Sequence, residues 1–250
     1  MSSIIYYLIF IFSGLIIGSF LNVLIYRLPL KISIAAPSSF CPECNLKIKF
    51  YDNIPVVSYL ILKGRCRNCK TRISPRYPIV EALTAFFFAL SYYFFGISFN
   101  LLLSVIFISG LITVSFTDIE HEIIPNVVVL PLSAIGLLIN ISVMPQRWWI
   151  ILAFAFGSFL FMFIISMIYP KGMGMGDVKL SLMAGAYLTQ KVIPGLFIGF
   201  FAGAIFGLAM IILKKKKIKQ TIPFGPFISF GCIVALFFGD KIINWYLGYI

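Results

Sequence analysis

Gly174-Met175-Gly176-Asp177-Val178-Lys179-Leu180-Ser181-Leu182-Met183-Ala184-Gly185-Ala186-Tyr187-Leu188 is the stretch on which the threading of the chain turns. Its apolar part, Val178 to Leu188, is shorter than the ~20 residues a lipid-facing span requires. It holds Gly185 and two alanines, so it suits a crossing packed inside a bundle better than one facing lipid. Whether it crosses decides on which side of a membrane everything downstream lies.

Elsewhere the apolar runs are long. Seven can be traced at 4–25, 78–96, 98–117, 123–143, 148–169, 192–213 and 223–249. The chain of 250 residues is 61% hydrophobic and only 11% charged, more apolar surface than a soluble domain of this size can bury. The first run is read as a transmembrane helix and not a cleaved signal, because Met1 to Tyr7 carries no basic side chain and the run continues to Ile25.

The basic residues test the threading independently. With the N-terminus outside, the inside segments 26–77, 118–122, 170–179 and 214–222 hold ten, zero, two and five Lys or Arg, against Arg147, Lys191 and Lys241 outside. That bias favours eight crossings, since omitting the short one would put Lys214, Lys215, Lys216, Lys217 and Lys219 on the wrong side. The net charge of +12 then reports orientation and contact with anionic lipid, and no nucleic-acid partner is expected. The expected fold class is an all-α polytopic membrane protein of about eight transmembrane helices. Residues 1–25 form the first helix, 26–77 a small cytoplasmic loop domain between helices 1 and 2, and 78–250 a membrane-embedded domain. No internal repeat is evident.

The loop contains Cys41-Pro42-Glu43-Cys44 and Cys66-Arg67-Asn68-Cys69, separated by 21 residues. Two such knuckles offer four thiolates to one tetrahedral ion, closing its coordination sphere, so a structural zinc site is the leading reading. Lys47, Lys63, Arg65, Arg67 and Lys70 would offset its charge, and the loop has little apolar core of its own. Paired disulfides or redox thiols are the alternative, disfavoured in a reducing cytoplasm. Cys232, in the last apolar run, reads as a buried small side chain.

On the eight-span threading, Asp118 ends the third span and Asp177 begins the sixth, both at the same membrane face. A carboxylate near the hydrocarbon boundary is costly to keep charged, so each is a functional candidate. Two placed together share a proton: the ionised member takes a proton from water as it attacks a carbonyl, and the protonated member donates to the carbonyl oxygen. Gly172, Gly174 and Gly176 would let an extended substrate strand approach closely. Asp177, near a helix N-terminus, is expected to be the more acidic member, although a simple helix cap would look the same. Glu120 and Glu122 flank His121 and could form a negative collar for a basic peptide or an ordinary polar turn. His121 is the sole histidine, which removes His-based triads. Asp240 reads as interfacial, and Ser19 and Asn22 beside Gly18 as helix packing.

In order along the chain, these residues resemble the type IV prepilin peptidases, or leader peptidases, among the Gly-x-Gly-Asp membrane aspartic proteases. The resemblance rests on Gly18-Ser19-Phe20-Leu21-Asn22-Val23 with Tyr26-Arg27-Leu28-Pro29, the two cysteine knuckles, and Tyr51-Asp52-Asn53-Ile54-Pro55. It continues through Gly64-Arg65-Cys66, Arg76-Tyr77-Pro78-Ile79-Val80-Glu81, Asp118 with Ile124-Pro125-Asn126, Gly174-Met175-Gly176-Asp177-Val178-Lys179-Leu180 and Pro223-Phe224-Gly225-Pro226.

The resemblance implies a multi-pass enzyme of a bacterial plasma (inner) membrane. It would cleave the basic leader of prepilins and pilin-like type II secretion proteins at the cytoplasmic face, with Asp118 and Asp177 as the catalytic pair. It also implies S-adenosylmethionine-dependent methylation of the new N-terminus, with Gly64 tied to that transfer. Asn126 departs from the pattern, where aspartate is common. The rival reading is an acidic-pair proton or ion transporter with a zinc-bearing docking loop. It would need internal repeats and midplane charges, and the acids cluster at one face instead.

Overall fold

The structure is a computed structural model describing residues 2–35, 39–170, 172–213 and 223–248. Among the described residues it is all helical, with no strand and two isolated bridges. Seven stretches among the described residues are long and apolar enough to cross a membrane. One of them, Met175–Ile212, runs 38 residues and contains two helices, so the short apolar run expected to be the sixth crossing forms a helix of its own. The basic run 214–219 lies outside the described residues.

By packing, the chain divides into Met1–Leu101 and Leu102–Ile250. In the first unit α1 (Ser2–Arg27) packs along α3 (Arg76–Phe95), with the short α2 (Val57–Ile61) in the loop between them. The α1/α3 approach is close because Gly14 and Gly18 present bare backbone. A Cβ would fall 2.5 Å from Ala85 Cα at Gly14 and 2.7 Å from Glu81 Cα at Gly18, so a side chain at either would force the helices apart. Asn22, 1% exposed, donates to the Tyr77 carbonyl at 3.0 Å, which makes it a packing residue of this pair.

The second unit holds most of α4 (Phe99–His121), then α5 (Asn126–Val143), α6 (Trp148–Ile168), α7 (Met175–Leu188), α8 (Val192–Ile212) and α9 (Gly225–Tyr246). The short helix α7 lies at its centre, packed against α5, α6 and α9. Ten of its 14 residues are buried, as its small side chains led us to expect. Gly185 gives the contact with α6, where a Cβ would fall 2.6 Å from the Phe154 carbonyl oxygen. Ser158 and Ser181 seal it, each donating to the other's backbone carbonyl, at 2.9 and 3.1 Å.

A helix of 14 residues rises only about 21 Å, less than the ~30 Å of a hydrocarbon core, and its last residues, Ala186 to Leu188, are buried, so its last carbonyls need partners from the protein. Asn140 of α5 meets that need: its Nδ2 donates to the Ala186 carbonyl at 2.7 Å and reaches the Tyr187 carbonyl at 3.4 Å. Beside it Tyr187 stacks on Phe107 of α4 at 4.7 Å and fills the space over Gly136.

Candidate active site

At the opposite end of α7 the two aspartates come together. Asp118 closes the last turn of α4 and Asp177 stands in the first turn of α7, 6% and 7% exposed. The two carboxyls are near enough for a charge on one to bear on the other. Each is held by a backbone amide at a helix start. The Gly225 N–H, opening α9, donates to Asp118 Oδ2 at 2.8 Å, and the Gly174 N–H donates to Asp177 Oδ2 at 3.3 Å. Asp177 Oδ1 is buried with no hydrogen-bond partner.

The glycines around the pair divide by use. At Gly176 a Cβ would fall 2.8 Å from Ile124 Cβ, so its bare backbone serves the packing of the 122–126 turn against α7. At Gly225 a Cβ would lie 2.8 Å from Asp118 Oδ2. Gly174 is extended, φ −81° and ψ 156°, with nothing nearer to its missing side chain than 3.8 Å. Of the string, Gly174 is the position with open space beside it. Glu120 and Glu122 are exposed just beyond Asp118, with His121 Nε2 3.9 Å from Glu120 Oε2. Lys179 Nζ donates to Asn126 Oδ1 at 3.0 Å, a hydrogen bond tying α7 to the start of α5.

In the first unit the two knuckles fold alike. Phe40 bridges Lys47, and Arg65, 25 residues on, bridges Arg72. Within each, the first cysteine's N–H closes on a carbonyl five residues ahead (Cys41 to Leu46, 3.0 Å; Cys66 to Thr71, 2.8 Å). Asn45 and Lys70, after the second cysteines, both have positive φ, 55° and 60°. This is a repeat that the sequence reading missed, because its two copies share little beyond their cysteines and basic flanks.

The four Sγ atoms lie within 4.8 Å of one another, and Cys41 Sγ is 3.8 Å from Cys69 Sγ. The edge of a tetrahedron with metal–sulfur bonds of ~2.3 Å is about 3.8 Å, so the cluster could hold one metal ion; a disulfide would need sulfurs at ~2.05 Å. All four cysteines are free. Burial pushes the Cys41 thiol up to about 11, while hydrogen bonding with Thr71 draws Cys69 down to about 6.

Arg67, expected among the residues that offset cluster charge, is instead committed to Asp52. Its Nε lies 2.8 Å from Oδ2 and its terminal nitrogen 2.6 Å from Oδ1, and the hydrogen bonds hold the Asp52 carboxyl below the usual range. The pair fixes the 3-10 turn Phe50–Asn53 against the second knuckle. Gly64, two residues before Cys66, has φ +64°, donates to the Tyr59 carbonyl at 2.9 Å and accepts from the Ile73 N–H at 2.8 Å. Cys232 is fully buried in α9, as a small core side chain should be.

Two further features escaped the sequence reading. The Gly225 amide on Asp118 was visible only as part of a motif, although a Gly-Pro pair opening an apolar run does signal a helix start. Asn140 carried no signal, because its role depends on where α7 ends beside it.

A bundle of spanning helices that buries two interacting aspartates at helix ends, on a chain with a tetracysteine loop, defines a polytopic membrane protein with an acidic site. Residues 12–95 match the Bacterial Peptidase A24 N-terminal domain and residues 105–208 the Type IV leader peptidase family. The chain is similar to the prepilin leader peptidase/N-methyltransferase of Bacillus subtilis (strain 168), 40% identical over 96% of this chain and 97% of that one. Its counterpart in Legionella pneumophila is 35% identical over 97% and 95%, and that of Stutzerimonas stutzeri 33% over 94% and 91%. No solved structure matches. The chain belongs to the prepilin leader peptidase/N-methyltransferase family.

Proposed function

We propose that the chain cleaves the basic leader from prepilins and pilin-like secretion proteins at the cytoplasmic membrane face and then methylates the new N-terminal amine. The observation that carries the peptidase half is the pair of buried aspartates, Asp118 and Asp177, brought together at the end of α4 and the start of α7. One carboxylate removes a proton from water as its oxygen attacks the scissile carbonyl, and the other carboxyl protonates the carbonyl oxygen. Collapse of the tetrahedral intermediate then returns one proton to the leaving amine and one to the pair, with no metal or covalent enzyme intermediate needed.

The substrate is a helix with a basic leader. Glu120 and Glu122 meet the leader's positive charge, Gly174 admits its backbone, and the helix lies among apolar spans, so the scissile bond arrives at the depth of the aspartates. The basic bias of the loop 26–77 and of the 214–219 run supports a cytoplasmic site.

Methyl transfer is assigned to the first unit's loop, with zinc closed off by Cys41, Cys44, Cys66 and Cys69 as a structural centre. When bound, S-adenosylmethionine supplies the methyl group to the amine. Gly64, the residue tied to that transfer, shapes the backbone that leads into Cys66.

The test is the purified full-length chain in lipid with a prepilin peptide, read by mass for leader loss and for an added methyl. D118N and D177N should each slow cleavage at least about a thousandfold while a pre-cleaved peptide is still methylated. Either variant cutting at the normal rate removes the peptidase reading.

A further inference from the structure

We propose that Asp118 is the member of the pair that holds the negative charge and takes the proton from water, with the Gly225 amide as its positioning group, and that Asp177 carries the proton and donates it to the substrate carbonyl. This rests on the peptidase reading above and divides the labour within it.

The two carboxyls sit in unlike surroundings. Asp118 Oδ2 accepts a buried 2.8 Å hydrogen bond from the first residue of α9, a helix of 22 residues whose N-terminal amides favour an anion. No side chain can stand between them, because a Cβ at Gly225 would come within 2.8 Å of that oxygen. The bond joins residues 107 apart in sequence, so it also fixes the end of α4 against the start of α9.

Asp177 has a weaker anchor, 3.3 Å from the amide of Gly174, the residue that caps its own 14-residue helix. Its other oxygen is buried with no partner, which suits a hydroxyl waiting for an acceptor better than a bare anion. The nearest lysine along the helix, Lys179, is turned to Asn126. The sequence expectation that Asp177 is the more acidic member is therefore reversed.

The reaction balances on this assignment. Asp118 accepts one proton from water as the water oxygen bonds to the carbonyl carbon, and Asp177 gives its proton to the carbonyl oxygen, leaving a gem-diol. As the C–N bond breaks, Asp118 returns its proton to the nitrogen and Asp177 recovers one from the diol. Both groups end as they began.

The experiment has two arms on the full-length chain in detergent or lipid. Infrared spectra of wild type, D118N and D177N at neutral pH report the C=O stretch of protonated carboxyls. The band should be lost in D177N and kept in D118N; a band kept in D177N, or lost in D118N, overturns the assignment. In the second arm, G225A should lower kcat for leader cleavage roughly ten- to a hundredfold with KM within about twofold. An unchanged kcat, or a loss confined to KM, overturns the positioning role. Failure of the peptidase reading itself looks different: D118N or D177N would still cut at the normal rate.

Discussion

At the scale of single residues, the loop of the first unit is shaped by backbone conformations that most side chains avoid. Gly64 ends the turn after α2 at φ +64°, and a Cβ there would sit 2.9 Å from the Tyr59 hydroxyl. G64A should therefore combine left-handed strain of about 1–2 kcal/mol with a clash, displace Cys66, and weaken metal retention along with methyl transfer while leader cleavage persists. Metal analysis after dialysis, beside the two activities, checks it. Val56 is held at φ 59°, a region a β-branched residue rarely visits, with its N–H donating to Glu81 Oε2 of α3 at 2.7 Å. E81A should release that turn at a cost of about 1–3 kcal/mol, seen as faster amide exchange over 54–73. Gly64 was marked in the sequence only through family resemblance. Val56 was not marked at all, since local preference argues against the conformation that Glu81 imposes.

At the scale of elements, α7 shows how a helix shorter than a membrane span is held at the centre of a bundle. Its shortness and its small residues were legible, and so was its burial. What terminates it was not, because the partner of its last carbonyls comes from α5, 46 residues away in sequence. N140L should leave the Ala186 and Tyr187 carbonyls unsatisfied and cost about 1–3 kcal/mol, lowering the unfolding midpoint in detergent without changing KM for the peptide. A bulkier residue at Gly185 should do more, because it pushes against the α6 backbone itself.

At the scale of the whole molecule, the chain divides into two separately packed units, 1–101 and 102–250, and the proposed function assigns methyl transfer to the first and leader cleavage to the second. Replacing Cys41, Cys44, Cys66 and Cys69 by serine, or stripping the metal with a chelator, should abolish metal content and methyl transfer yet leave most leader cleavage. Elemental analysis paired with the mass assay decides the point. The helical architecture, the pairing of the aspartates and the tetracysteine cluster were all readable from run length, charge bias and spacing. The hydrogen bonds that distinguish one aspartate from the other were not, because they join elements far apart in sequence. Finally, the packing of Asn140, Tyr187 and Phe107 at the end of α7 bears on the energy economy of the cell. Acids buried among spans can short-circuit an electrochemical gradient. Here Tyr187 packs between Phe107 and Gly136 at the end of α7 away from the aspartates, so sealed vesicles containing the protein are expected to hold an imposed pH difference as long as empty ones, by a trapped fluorescent dye.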